Sequence, residues 1–323
     1  MSSPITSVTD PPPAWTGRID GTGAEHRRWH QAVGPYTGEP GPGTVIIGFA
    51  CDQGVGRNQG RRGAADGPDA LRRALASLAF PDPQRPLSDA GTVSVRTDAD
   101  MERGQEDLGS AVRAGLDAGR LPVVLGGGHE IAYGTYLGVA GARIRTRRPR
   151  LGILNVDAHF DLRADPVPSS GTPFRQILDA ERRAGADCRY AVVGISRPSN
   201  TAALFDAADE SGVQYLTDDQ CSVTELPAVV GFVDDFLADV DLVYLTIDLD
   251  VLPAAVAPGV SAPAGYGVPL EVVEKVCARV AASGKLCVVD VAELNPRLDI
   301  DQRTARTAAR LVHRIVTGHR PPD

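Results

Sequence analysis

Eight short apolar runs between residues 44 and 291 constrain this chain more than any other feature: 44–50, 92–95, 121–125, 151–156, 190–195, 213–216, 242–247 and 286–291. Most are continuous in Val, Ile and Leu, as in Leu121-Pro-Val-Val-Leu125, rather than alternating with polar residues. A strand with one face in water alternates. A strand without a polar face is covered on both sides, which is the condition of a parallel sheet between helices. Helical periods separate the runs. Gly67-Pro68 opens one that puts Leu71, Leu75 and Leu78 on a single face, with proline at an early position. Others cover about 102–118 and 269–282. The last begins near Asp301, aligns Ala305, Ala308, Val312 and Ile315, and stops at Gly318. The alternation predicts an α/β fold with a mainly parallel sheet of about eight strands. No linker or internal repeat interrupts 44–318, so residues 44–323 read as a single domain. Residues 1–43, with Pro11-Pro12-Pro13 and no period, predict an irregular arm.

Charge and cysteine usage exclude several classes of function. The chain carries 33 basic and 41 acidic residues, net −8, which argues against general affinity for nucleic acid or anionic membranes. No apolar run approaches the ~18 residues of a membrane span. The N-terminus has neither the basic start nor the apolar core of a secretory signal. Cys51, Cys188, Cys221, Cys277 and Cys287 are scattered and form no CxxC pair, as expected of reduced thiols in a cytoplasmic protein.

In α/β folds ligands gather at the carboxyl ends of strands. Three such ends carry metal-ligand residue types. The run 121–125 leads into Gly126-Gly127-Gly128-His129-Glu130, the run 151–156 into Asp157-Ala158-His159-Phe160-Asp161, and the run 242–247 into Asp248-Leu249-Asp250. Residues i and i+2 of a strand share a face, so Asp157 and His159 project together, as do Asp248 and Asp250. Four converging carboxylates raise one another's pKa values. Two divalent cations, +4 against −4, remove the conflict. Carboxylate with imidazole suits Mn2+, and zinc, iron and cobalt can use such ligands. Singly, a histidine after a glycine turn or an Asp-x-Asp cap is ordinary. Three such strand ends in one sheet point to a dinuclear centre. The glycine turn lacks the GxGxxG of dinucleotide sites, and Gly54-x-Gly56 is no stronger. The basic run Arg143–Arg150 reads as a solvated loop.

At these residues the sequence resembles the ureohydrolase family of arginases, agmatinases and formimidoylglutamases. The likeness spans about 44–318 and rests on GGGHE at 126–130, NVDAHFD at 155–161, TIDLDVLPA at 246–254 and Asp290-Val-Ala-Glu293-Leu-Asn-Pro296. It implies a three-layer α/β/α fold and a bridged Mn2+ pair. One ion would take His129, Asp157, Asp161 and Asp248. The other would take His159, Asp157, Asp248 and Asp250. It also implies a homo-oligomer, a trimer or hexamer. The finer resemblance is to the formimidoylglutamase branch, through segments 49–58, 160–163, 170–176 and 194–200. Arginases have Asn where this chain has Arg163, and a proton-relaying His where it has Ser170. The implied reaction is hydrolysis of N-formimidoyl-L-glutamate, a small-molecule amidine of histidine degradation, to L-glutamate and formamide. In that reading Asp161 moves a proton, Glu293 holds the cationic amidine and Asp290 supports a ligand. The substrate's two carboxylates call for arginines, so Arg163, Arg175 and Arg197, with Ser170, are the expected substrate contacts. The alternatives are a urea-releasing agmatinase or guanidinobutyrase, and a non-catalytic metal-binding protein on the same fold.

Overall fold

The continuous apolar runs become the interior of one sheet. The computed structural model describes residues 5, 7–80, 82 and 85–322. Among them nine strands pair in parallel: β1 (Val33–Pro35), β2 (Thr44–Ala50), β3 (Leu87–Ser94), β4 (Leu121–Leu125), β5 (Leu151–Val156), β6 (Cys188–Ile195), β7 (Gln214–Thr217), β8 (Leu242–Asp248) and β9 (Leu286–Ala292). Their order is β1-β3-β2-β4-β9-β8-β5-β6-β7. Every residue of β4, β5, β8 and β9 is buried, because helices cover both faces. Val123 and Leu125 of β4 pack with Leu71, Leu75, Val276 and Val312 in one core. Val124, between them, points into the other core with Leu108, Val112 and Ile131. The period of two thus feeds two helical layers from one strand. Among the described residues no helix is long and apolar enough to cross a membrane.

The expected sheet of about eight strands gains a ninth, β1, from the arm that was expected to be irregular. That arm also contains the short helix Trp29–Ala32. Trp29 is fully buried, packs edge-on against Phe80 and donates from Nε1 to His313 Nδ1 at 3.0 Å. Trp15 Nε1 donates to Asp89 Oδ2 at 2.9 Å, and Thr9 and Asp10 donate backbone N–H groups to Thr92 O. A three-residue strand has no period to detect, and single side chains hold the arm down. β3 starts five residues earlier than expected, at Leu87 rather than Thr92. The buried Asp89 broke the apolar pattern there, but Arg72 grips it through Nε and Nη2, both at 2.9 Å.

The chain passes from β4 to β5 across β9 and β8, then continues outward through β6 and β7. This separation of consecutive strands makes the crevice where such sheets bind ligands. All three unusual strand ends open there.

Candidate metal centre

The turn after β4 aims a histidine rather than a phosphate loop. A Cβ on Gly127 would lie 1.7 Å from the Cys51 carbonyl oxygen, so only glycine fits, and Gly128 N–H donates to that oxygen at 2.9 Å. The turn then delivers His129, 1% exposed, in front of the helix Ile131–Gly141. His129 Nε2 lies 2.9 Å from Thr246 Oγ1. Its Nδ1 lies 3.1 Å from one carboxylate oxygen each of Asp157, Asp161 and Asp248. None of these approaches has hydrogen-bond geometry, and among the described residues the buried Nδ1 has no such partner.

Asp157 turns its two oxygens toward different imidazoles. Oδ2 faces His129 and accepts from Asn155 Nδ2 at 2.9 Å. Oδ1 accepts from His159 N–H at 2.7 Å and lies 3.5 Å from His159 Nδ1, which is 3.1 Å from Asp250 Oδ2. Asp248 Oδ1 accepts from the Asp250 N–H at 2.8 Å, and the buried Asp250 Oδ1 has no hydrogen-bond partner among the described residues. Five of the six side chains fall into two ligand groups sharing Asp157: His129, Asp157 and Asp161, and Asp157, His159 and Asp250. Asp248 stands beside the first group through its approach to His129.

Burial and mutual repulsion govern titration here. Burial disfavours charged imidazoles, but the facing carboxylates outweigh it and hold His129 and His159 well above the ordinary histidine value. Burial, with the charges of Asp250 and Asp157, pushes Asp248 far up. Burial and Asp157 raise Asp161. Asp157 goes down: burial opposes this, but two imidazoles favour its anion. Imidazole nitrogens and carboxylate oxygens without a thiolate, with two buried donor atoms lacking hydrogen-bond partners, fit a divalent cation such as Mn2+.

The cluster floors a cavity of about 340 Å³ whose wall includes Arg163, Ser170 and Glu293. Ser170 Oγ accepts from Asn58 Nδ2 at 3.2 Å. Glu293 Oε1 accepts from His129 N–H at 2.9 Å. Asp290 lies fully buried, 2.5 Å from the donating Tyr244 hydroxyl. Of the five non-glycine residues with positive φ among those described, Gln59 (62°), Asp161 (50°) and Glu293 (68°) line this cavity. Such backbone is held only where the surroundings fix it, characteristically at functional sites.

Two expected substrate contacts are elsewhere. Arg175 sits on the helix Pro173–Ala184, where Nε pairs with Asp179 Oδ2 one turn on, at 3.2 Å. Its neighbour Phe174 takes the inward position, 5.3 Å from His129 edge to face. Arg197 is exposed, with its guanidinium 5.6 Å over the Phe205 ring. Neither lines the cavity, although Ser199 and Asn200, just past Arg197, do. Sequence reasoning missed Asn58, Gln59 and Arg61, the wall supplied by the loop after β2. Its signal was available: a run of amide and guanidinium groups at the carboxyl end of a strand. Arg61 ties this wall to the opposite loop by donating to Val260 O and Ser261 O, with Nη2 at 2.9 and 2.8 Å.

Residues 42–318 match the arginase family. A formimidoylglutamase of Nocardia farcinica (strain IFM 10152) is 67% identical over 313 residues, covering 96% of this chain and 98% of that protein. Among solved structures, formimidoylglutamase from Bacillus subtilis subsp. subtilis str. 168 has the same fold, with a TM-score of 0.80 at 23% identity over 94% of this chain and 93% of that one. Trypanosoma cruzi formiminoglutamase, crystallised with Mn2+, aligns with a TM-score of 0.74 at 28% identity, covering 85% and 92% of the two chains.

Proposed function

The chain belongs to the arginase family, and from that premise we propose that it hydrolyses N-formimidoyl-L-glutamate to L-glutamate and formamide with a pair of Mn2+ ions. The observation that carries this reading is that Arg163 lines the same cavity that the carboxylate–imidazole cluster floors. The acidic floor suits an amidine, and the arginine a carboxylate. His129, Asp157, Asp161 and Asp248 would hold one ion, and His159, Asp157, Asp248 and Asp250 the other. The division of Asp157 between two imidazoles supports its bridging role. Divalent ions bound there acidify water and polarise the amidine.

The protein's own groups do the rest. Glu293, its Oε1 fixed by the His129 N–H, presents its carboxylate to the cationic amidine. Asp161, on the cavity floor, takes the proton that water gives up and passes it to the leaving nitrogen. Water's oxygen ends on the formimidoyl carbon, the bond from that carbon to the glutamate nitrogen breaks, and the carbon leaves in formamide. Arg163 grips a glutamate carboxylate, and the Ser170 hydroxyl, held by Asn58, adds a hydrogen bond. Action in the cytoplasm as a trimer or hexamer belongs to the same proposal and rests on the family resemblance.

A panel of amidines and guanidines with Mn2+-loaded protein, scored for formamide, urea and ammonia, tests the reading. Formamide from formimidoylglutamate, with little urea from arginine or agmatine, is the expected result. Efficient urea release without formamide would replace the substrate and keep the metal centre. No turnover of any amidine by fully loaded protein would make it a non-catalytic relative.

A further inference from the structure

Two of the proposed substrate contacts, Arg163 and Ser170, ride on a segment that does little to hold itself. Residues 163–171 contain no helix or strand, and 164–167 are exposed. The neck is closed by one backbone bond, Arg163 N–H to Gly171 O at 3.0 Å. At the buried end Ser169 is tied to Gly171 and Thr172, but the exposed stretch 164–167 has no helix or strand to hold it and takes its order from outside. Arg57, the last residue of the short helix Gln53–Arg57 that follows β2, reaches across to the segment. Nη1 donates to Pro168 O at 2.9 Å and to Glu102 Oε1 at 2.6 Å. Nε donates to Asp98 Oδ1 and Nη2 to Asp98 O, both at 2.8 Å. The Arg57 side chain is only 13% exposed, although its two carboxylate partners are about half exposed. The next residue, Asn58, donates to Ser170 Oγ. Two consecutive residues therefore clasp the segment, one at its backbone and one at a proposed contact.

We propose that Arg57 is a positioning residue: it anchors segment 163–171 to the start of the helix Met101–Asp117 so that Arg163 and Ser170 face the cluster. The substrate half of this inference rests on the proposed function, and the anchoring half does not. Only a planar fork can serve these four acceptor atoms on three residues at once, so lysine is a poor substitute. The clamp acts on substrate capture rather than on the chemical step. The cluster comes from strand ends that Arg57 does not touch, and the buried Leu162 separates Asp161 from the clamped segment. Without the clamp, the segment must be ordered at the moment of binding, and the cost appears in KM.

The test compares Arg57→Ala, Arg57→Lys and Glu102→Gln with the parent by metal content, amide hydrogen exchange of peptides covering 163–171, and steady-state kinetics with formimidoylglutamate. For Arg57→Ala the expected result is faster exchange in that segment, unchanged metal content, KM raised about tenfold and kcat within about threefold. Arg57→Lys should recover only part of the loss, and Glu102→Gln should shift KM in the same direction by less. Should Arg57→Ala fail to fold, the other two variants carry the comparison. Unchanged exchange in 163–171 overturns the anchoring. Faster exchange with unchanged KM overturns the positioning role, and so does a fall in kcat that tracks metal loss. If the parent releases no formamide from formimidoylglutamate, it is the functional reading that has failed. The Arg57 inference is then decided by exchange, and by KM for whichever amidine is cleaved.

Discussion

The His129 ring, whose Nδ1 faces three carboxylates, meets Thr246 Oγ1 at Nε2 on its other side. Thr246→Val keeps the shape and removes the hydroxyl. Mn2+ affinity should fall about 10- to 100-fold, the usual effect of losing such an outer contact. Titration of stripped protein with Mn2+ measures it, and an unchanged affinity would mean that packing alone orients the ring. Asp157→Asn tests the floor more severely. Each of its oxygens serves a different imidazole, so most of the metal should be lost on purification, and two ions per chain by elemental analysis would rule out a bridge. On the wall, Arg163→Ala should raise KM for formimidoylglutamate at least ~30-fold, since a charged hydrogen bond to a ligand is worth ~2 kcal/mol or more. Arg175→Ala and Arg197→Ala should leave KM within about twofold, and a large rise for either would restore it to the substrate site. These contrasts mark what was legible in the sequence. The cluster residues could be read because each lies at a strand end or within five residues past it, where the chain leaves the sheet. Arg175 and Arg197 could not, because their direction depends on the phase of a helix and of a turn that begin only one or two residues earlier.

Central strands declare themselves by being apolar throughout, so β2, β4, β5, β8 and β9 were legible to within about a residue. The edge was not. β1 is three residues long, and β3 conceals a buried ion pair that reads as a polar break. That pair joins the arm to the sheet: Asp89 accepts two bonds from Arg72 and one from Trp15, while Arg72 also donates to Gly91 O and Thr92 Oγ1. Removing one member strands the other as a buried charge, which typically costs 3–5 kcal/mol. Asp89→Ala should therefore destabilise the fold by about that amount in urea unfolding. It should also disturb tryptophan fluorescence, because both tryptophans of the chain, Trp15 and Trp29, belong to the arm. A loss under about 1 kcal/mol would show the arm held chiefly by Trp29 in its pocket.

At the scale of the whole molecule, the centre links metal, protons and stability. His129 and His159 are held well above 6.5 by the carboxylates around them, and Asp161 and Asp248 lie above 3.8 through burial and like charge. In stripped protein the folded state therefore binds protons that the unfolded chain gives up at lower pH. A group whose folded pKa is raised contributes stability that is complete below its unfolded pKa and is lost as pH climbs through the folded value. The stripped protein should thus weaken as pH rises above ~6.5, the histidine reference. Asp157 has the opposite sign, but its contribution changes only in acid, below about 3.8, outside this window. Mn2+ requires neutral imidazoles and ionised carboxylates, so binding expels the same protons and tightens as pH rises. Metal that binds only the folded state adds stability by mass action. The two trends diverge: the Tm difference between Mn2+-loaded and chelator-stripped protein should widen steadily from pH 6 to pH 8.5. Paired thermal melts across that range measure it, and calorimetric titration in buffers of different ionisation enthalpy should show protons released on binding. A difference that stays constant or narrows toward alkaline pH would mean that protons do not stand in for the metals, and that the fold holds its carboxylates apart by some other means.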